Sequence, residues 1–560
     1  MPPQKKRVVH LLDYGAGNVR SVRNALALLG CEVVDVASAE DVAAAKVLIF
    51  PGVGAFGSAV EKLRALGVWE ALKEYLGDAS RPFLGICIGM QVLFEASDES
   101  PGVAGLGVFR GTVGKFDAEK LQAAVPHIGW NVVESSSEIV QSHRFYFVHS
   151  FRVRETREPD VRSSLATYGS ETFVAAVERR NQCALQFHPE KSADQGLGLL
   201  DRFLTRSCGD SSSRGVLSSS SRALHTTNGF PREEKALAKR VICALDVREN
   251  DAGDLVVTKG DSYDVREKDA STAKKGAVRN LGKPVELAER YYREGCDEIA
   301  ILNICAFKGE PVADLPLLDV LRRASTKVFV PLTIGGGVRG YADTVTGAQV
   351  SALDVASAYF RAGADKVSIG SDAVHAAQRF LSFTEEADQR RFLEDPENSS
   401  ISQISKVYGA QAVVVSVDPK RAWTTDGKYV VDHPTARGPN GESRCWYRCT
   451  VSGGRKDTDL DAVDLAIASE RLGAGEIMLN CIDTDGKNSG FELPLLSLVK
   501  QHVSIPVVAS SGAGCPQHFL DVFQKTNADA ALAAGIFHRK EVPIAAVKQC
   551  LHDNHVPVRR

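Results

Sequence analysis

A chain of 560 residues exceeds what one hydrophobic core supports, because single cores stop growing at roughly 250 to 300 residues. Hydrophobic residues at 44%, charged residues at 24% and a formal net charge of -3 are ordinary globular values, and they give no electrostatic case for a nucleic-acid or anionic-membrane partner. The 12 cysteines are scattered, and the pair Cys445 and Cys449 lacks the second ligand pair a zinc site would need, so the chain reads as a reducing, intracellular protein with no metal.

In chain order, the N-terminus enters an apolar strand pattern within a few residues of Met1, with Lys5-Lys6-Arg7 as a solvated lead-in. No secretory signal or transit peptide is visible, and no run approaches the roughly 18 apolar residues of a membrane span. Apolar runs such as Val47–Phe50 and Phe83–Ile86 alternate with helical patterns such as Val19–Leu29, which predicts an α/β layer domain over residues 1–205. From Thr205 to Glu234 the periodicity stops in a Ser-rich tract, so residues 206–235 read as a linker.

Residues 236–560 carry eight further apolar runs: Arg240–Val247, Glu298–Ile304, Val328–Ile334, Asp365–Ile369, Ala412–Asp418, Glu476–Asp483, Pro506–Ser510 and Ala530–Phe537. Eight strands separated by helical segments predict a (βα)8 barrel. The series repeats by halves, with Asp246 and Asp418 closing the first and fifth runs and glycine-rich turns following the third and seventh. The stretches 248–282, 341–359 and 376–405 exceed a minimal barrel and read as loop or helix insertions.

Three pieces of chemistry fall in the first domain. Gly85-Ile86-Cys87-Ile88-Gly89 follows an apolar run and precedes a helical one, a nucleophile elbow with Cys in place of Ser. Gln186-Phe187-His188-Pro189-Glu190 supplies an imidazole base and a carboxylate to orient it. Gly52, Val53 and Gly54, with the Ile88 amide, offer backbone N–H groups to a developing oxyanion. A buried structural cysteine, a solvated loop histidine and a tight turn would each explain one piece, but not all three in this order. Together they resemble the class I, triad-type glutamine amidotransferases over residues 8–204. The resemblance makes Cys87 the nucleophile toward the glutamine carboxamide, His188 the proton carrier, Glu190 its holder and Gln91 a residue that helps hold glutamine.

In a barrel the chemistry sits at the C-terminal ends of the strands, which makes Asp246 and Asp418 the acid and base candidates. A single strand-end Asp is as often a helix cap. Glycine-rich turns after strands three and seven, and small residues after strands four and eight, form two anion cradles suited to a ligand with a phosphate at each end, although tight turns also explain such glycines. Lys259 stands in the loop after the first strand, within reach of a substrate. Arg240, Glu298, Lys366 and Glu476 each begin a strand at the opposite end. They read either as a salt-bridged plug or as a gate for ammonia.

Leu12–Asn18, the Cys87/His188/Glu190 set, Pro126–Trp130, Cys243–Asp246, Ala364–Ser368, Ile482–Gly486 and Ala509–Gly514 together closely resemble the imidazole glycerol phosphate synthases, in the fused eukaryotic and most plant-like form. The resemblance implies a class I glutamine amidotransferase domain of flavodoxin-like α/β type followed by the barrel. It implies that glutamine and the aminoimidazole carboxamide nucleotide PRFAR become glutamate, imidazole glycerol phosphate and AICAR in histidine biosynthesis, with no metal or organic cofactor. One phosphate falls to Gly337, Gly370 and Ser371, the other to Asp485, Gly486, Gly512 and Gly535. Asp365 and Lys191 become interface partners, and the charged ring becomes the gate. Asn303 and Gly370 depart from the bacterial pattern, where Asp and Asn are usual. Both activities in one chain allow a monomer, in cytosol or plastid stroma. A glutaminase fused to a phosphoribosyl isomerase-like barrel, and a silent amidotransferase scaffold, are the alternatives.

Overall fold

The computed structural model describes residues 7–560 apart from 16, 157, 210–234, 251–254, 259–265, 269–274, 279, 305–314, 344–346, 425 and 427. Lys259 and most of the expected linker therefore lie outside the described residues. The described chain divides near Ala238 into two compact units.

The first unit is built on a mixed sheet whose parallel part runs, in spatial order, Cys31–Asp35, Arg7–Leu11, Leu48–Phe50, Phe83–Ile86 and Gln182–Leu185. Counting those five strands in sequence gives the order 2-1-3-4-5, the flavodoxin-like arrangement. The three central strands are buried at every position, as expected for parallel strands covered on both faces. Register is pinned by Phe50 opposite Gly85 and by Ile86 opposite Leu185, so three consecutive strands end level with one another. The sheet continues through antiparallel strands, among them His127–Glu134 paired with His143–His149. The last helix, Ala193–Cys208, is closed by Gly209 in the left-handed region and so carries helix three residues into the stretch expected to be linker.

The second unit is a closed parallel barrel. Its strands are Arg240–Glu249, Glu298–Asn303, Leu332–Gly335, Lys366–Ile369, Val413–Val417, Glu476–Asn480, Val507–Ser510 and Ala530–Ala533, and pairing of Arg240 with Ala530 through Cys243 with Ala533 closes the circle. The interior holds Ile242, Ala244, Ala300, Val414, Met478, Val508, Ala530 and Leu532, all buried.

Three expectations need correcting. The third strand begins at Leu332 rather than Val328, and the eighth ends at Ala533, after which Gly535–His538 forms a helical turn. An apolar run alone does not distinguish strand from short helix. The stretch 341–359 is not wholly an insertion, because it runs into Ala352–Ala362, the barrel's third helix, started by a capping box on Ser351 and Asp354. The largest added sheet is one the apolar pattern does not announce: Pro419–Trp423, Val431–Asp432, Arg444–Val451 and Lys456–Asp461 form a separate four-stranded sheet after the fifth strand. It is tied down by Glu492, which accepts from Arg421 Nε at 2.9 Å, Tyr447 Oη at 2.7 Å and His433 Nε2 at 3.0 Å.

Candidate active sites

Because Leu48–Phe50, Phe83–Ile86 and Gln182–Leu185 are neighbours ending level, the residues following them converge at one edge: Pro51–Gly54, Cys87, and Gln186 to Glu190. Cys87 is held at φ 55°, ψ -105°, a strained conformation for a residue with a side chain and the signature of a nucleophile elbow. The sharp turn needs Gly89, where an added Cβ would stand 2.0 Å from the Phe50 carbonyl oxygen. The Cys87 amide donates to Leu185 O at 2.7 Å, which fixes the elbow to the strand carrying the base.

His188 Nδ1 lies 2.8 Å from Glu190 Oε1, with both side chains buried. Among the described residues Nε2 has no partner within ordinary hydrogen-bond geometry, and the Cys87 sulfur is the group that acts on it electrostatically. Burial alone would lower the His188 pKa, but the charges of Glu190 and Cys87 outweigh it and hold it well above the ordinary histidine value. Gln91 is buried one turn beyond the nucleophile, where its Nε2 donates to Phe151 O at 3.1 Å and Gln186 Oε1 at 3.0 Å. The Ile88 amide points to Gly52 O at 3.4 Å, a long bond, and Tyr14 Oη donates to Val53 O at 2.8 Å, so Gly52, Val53 and Ile88 are packed as one turn.

In the barrel unit a cavity of about 630 Å³ opens at the C-terminal ends of the strands, and Asp246, Asp418, Gly337, Gly370, Ser371, Asp485, Gly486, Gly512 and Gly535 all line it. Gly512 is closed in against Gly490, whose carbonyl oxygen would be 2.1 Å from a Cβ. At Gly370 a Cβ would meet nothing within 4 Å, so the side chain usual in bacteria has room that this chain leaves open. Ser371 Oγ accepts from the Ser452 amide at 2.9 Å, bringing the turn of the added sheet, with Gly453 and Arg455, to the rim.

Asp418 is the more perturbed carboxyl. Burial raises its pKa and the nearby Asp485 adds to the rise, against hydrogen bonds from Asn480 Nδ2 at 2.9 Å and Ser416 Oγ at 3.3 Å. Asn480 and Ser416 are site residues the sequence reading did not single out. Asp418→Asn removes the cost of an ionised buried carboxyl. A raised folded pKa means the wild type is fully stabilised below the unfolded pKa and loses that stability as pH rises through the folded value. The variant should therefore unfold a few degrees higher at about pH 8 and show no gain at about pH 3. Thermal unfolding at the two pH values checks this.

At the barrel floor Arg240, Glu298, Lys366 and Glu476 form a closed, buried ring: Arg240 Nη1–Glu298 at 2.8 Å, Lys366 Nζ to Glu298 and to Glu476 at 2.6 Å each, and Arg240 Nη2 on Glu476. Thr333 Oγ1 adds a donor to Glu298 at 2.6 Å. Lys191 is buried in the short helix after the triad, and Asp365 Oδ2 accepts from the Leu332 amide at 2.8 Å.

A cysteine elbow with a histidine–glutamate partner, joined in one chain to a barrel whose mouth carries two glycine-rich cradles and two strand-end aspartates, defines a glutaminase coupled to a synthase. Residues 10–206 match the family described as glutamine amidotransferase class-I, and residues 240–394 and 391–543 match, in two successive copies, the family described as histidine biosynthesis protein. Over 99% of its length the chain is 52% identical to the chloroplastic imidazole glycerol phosphate synthase hisHF of Arabidopsis thaliana, covering 89% of that protein. It is 47% identical to the hisHF protein of Schizosaccharomyces pombe over all of that relative, and 39% identical, over 58% of this chain, to the HisF subunit of Methanopyrus kandleri. The chain belongs to the imidazole glycerol phosphate synthase family in its fused form, with glutamine amidotransferase and cyclase domains serving histidine biosynthesis. Among the described residues no helix is long and apolar enough to cross a membrane.

Proposed function

We propose that Cys87 attacks the carboxamide carbon of glutamine, that the C–N bond breaks as His188 delivers its proton to the departing nitrogen, and that water then hydrolyses the thioester to glutamate. Glu190, 2.8 Å from His188, holds the imidazole, and the Gly52, Val53, Gly54 and Ile88 amides receive the oxyanion. The ammonia is consumed in the barrel. There PRFAR is held by one phosphate at Gly337, Gly370 and Ser371 and the other at Gly486, Gly512 and Gly535, and yields imidazole glycerol phosphate and AICAR.

Asp418, with its raised pKa, is the general acid, and Asp246 is its basic counterpart. Asp485, whose negative charge acts on Asp418, suits a hydroxyl-bearing part of the substrate better than a phosphate. The Arg240–Glu298–Lys366–Glu476 ring is the gate through which ammonia enters the barrel. Both half-reactions reside in one chain, so a monomer suffices, working in a reducing compartment, cytosol or plastid stroma.

The observation that carries the reading is the concentration of both aspartates and both glycine cradles around one cavity. PRFAR consumption followed with glutamine and then with ammonium salts as nitrogen source tests it. Turnover with both is expected, and no turnover of PRFAR with either overturns it.

A further inference from the structure

The triad accounts for Cys87, His188 and Glu190 but not for a buried amide standing against the nucleophile. Gln186, fully buried, places Nε2 3.6 Å from Cys87 Sγ, within reach of a hydrogen bond to sulfur. Which end of an amide faces a neighbour is settled by its network, and here the network extends well beyond the triad.

Phe151 O can only accept, so both groups on it must donate: His149 Nδ1 at 2.7 Å and Gln91 Nε2 at 3.1 Å. With Nδ1 protonated, His149 Nε2 accepts, from His127 Nδ1 at 3.0 Å. His127 Nε2 in turn accepts from Asn131 Nδ2 at 3.3 Å, while Asn131 Oδ1 takes the Val132 amide at 2.8 Å and cannot compete. The two rings face each other because His127 and His149 are directly opposed across two antiparallel strands. Burial keeps both neutral, lowering His127 well below its ordinary pKa and His149 to about 3, so each ring has one donor and one acceptor nitrogen. At the other end, Gln91 Nε2 spends both hydrogens, on Phe151 O and on Gln186 Oε1. Gln186 is left with its NH2 turned to the sulfur. Flipping it would oppose carbonyl oxygen to sulfur and one NH2 to another.

We propose that Gln186 is a further catalytic residue of the glutaminase, donating from Nε2 to the Cys87 sulfur, and that His149 and His127 are positioning residues that hold the Phe151 carbonyl, whose acceptor character fixes the polarity of Gln91 and Gln186. This rests on the reading of Cys87 as the nucleophile. Gln186 stabilises anionic sulfur before attack and neither gains nor loses a proton. A corollary concerns Gln91: its amide hydrogens are committed and its Oε1 has no hydrogen-bond partner among the described residues, so it meets glutamine as an acceptor, suited to the ammonium or carboxamide N–H groups.

In the full chain, Gln186→Met keeps the length and removes the donor. A hydrogen bond to a charged group is strong enough that glutamine kcat should fall about 10- to 100-fold with KM little changed. Alkylation of Cys87 by iodoacetamide at fixed pH, read on its own peptide, should slow about tenfold, and ammonium-dependent turnover should persist. Gln186→Glu keeps the shape and replaces donor by acceptor, which serves where Met disturbs packing, and should lose more. His149→Phe should raise the KM for glutamine, and His149→Asn, whose amide nitrogen can take the place of Nδ1, should restore it. A folded Gln186 variant with kcat and alkylation within about twofold of wild type overturns the catalytic assignment, the interval being well under one hydrogen bond's effect. Equal KM in the two His149 variants overturns the relay. Glutamine turnover surviving in Cys87→Ala instead overturns the nucleophile reading, a separate result.

Discussion

Cys87→Ala is expected to reduce glutamine-dependent turnover by about 10⁴-fold or more while leaving ammonium-dependent turnover near the wild-type rate. The size of the loss follows from covalent catalysis: without sulfur there is no thioester, and no other nucleophile stands in the elbow. His188 and Glu190 cannot compensate, because residues acting as a unit lose nearly everything when one is removed. Survival of the ammonium reaction follows from the separateness of the chemistry, since every residue lining the cyclase cavity belongs to the other unit. The substitution is also structurally mild. Cys87 sits at φ 55°, which alanine bears no worse than cysteine, and only one sulfur atom is lost from a packed turn. Parallel assays with the two nitrogen sources, on protein shown to unfold at the wild-type temperature, provide the measurement. Loss of both activities by such a protein contradicts the two-site scheme.

What could be read in the sequence follows from how local its signals are. Gly85 to Gly89 is an elbow because the turn, its glycine and its nucleophile lie within five residues, and the strand before it is a short buried run. The barrel was legible for the same reason: each strand is a run of apolar residues, and the charged residue opening four of them marks the floor ring. Strand ends were not. Val328 to Pro331 and Ala534 to Phe537 are as apolar as the strands beside them, and only pairing partners, remote in sequence, decide where the ladder stops. The sheet formed by Pro419–Trp423 and its partners escaped because its segment is polar and rich in turn residues. Its stability comes from Glu492, 45 to 71 residues away from the groups it holds. Distance in sequence also hid Gln186, which meets Gln91 and Cys87 across 95 and 99 residues, and Asn480, which meets Asp418 across 62. The described site residues stand at one of the two strand-end edges or at the floor, except Lys191 and Asp365.

Asp246→Asn is expected to stop PRFAR turnover with glutamine and with ammonium alike, by about 10² to 10⁴-fold. Asparagine matches the carboxylate in shape but cannot take up a proton at the pH of the reaction, so the loss isolates proton transfer from binding. Position supports a severe effect: Asp246 lies on the first barrel strand, opposite Thr258 of the strand folding back on it, and lines the same cavity as Asp418 on the fifth. The two carboxyls are not interchangeable. Both are half-buried, but Asp418 is held toward its protonated form by desolvation and the charge of Asp485 and is braced by Asn480. Environments that differ in this way separate an acid from a base. Glutamine hydrolysis at Cys87, measured in the same variant, should continue, because Cys87, His188 and Glu190 all belong to the first unit and Asp246 to the second. PRFAR turnover that is unchanged in a folded Asp246→Asn protein would remove Asp246 from the mechanism and leave Asp418, with Asp485 beside it, to carry both proton transfers.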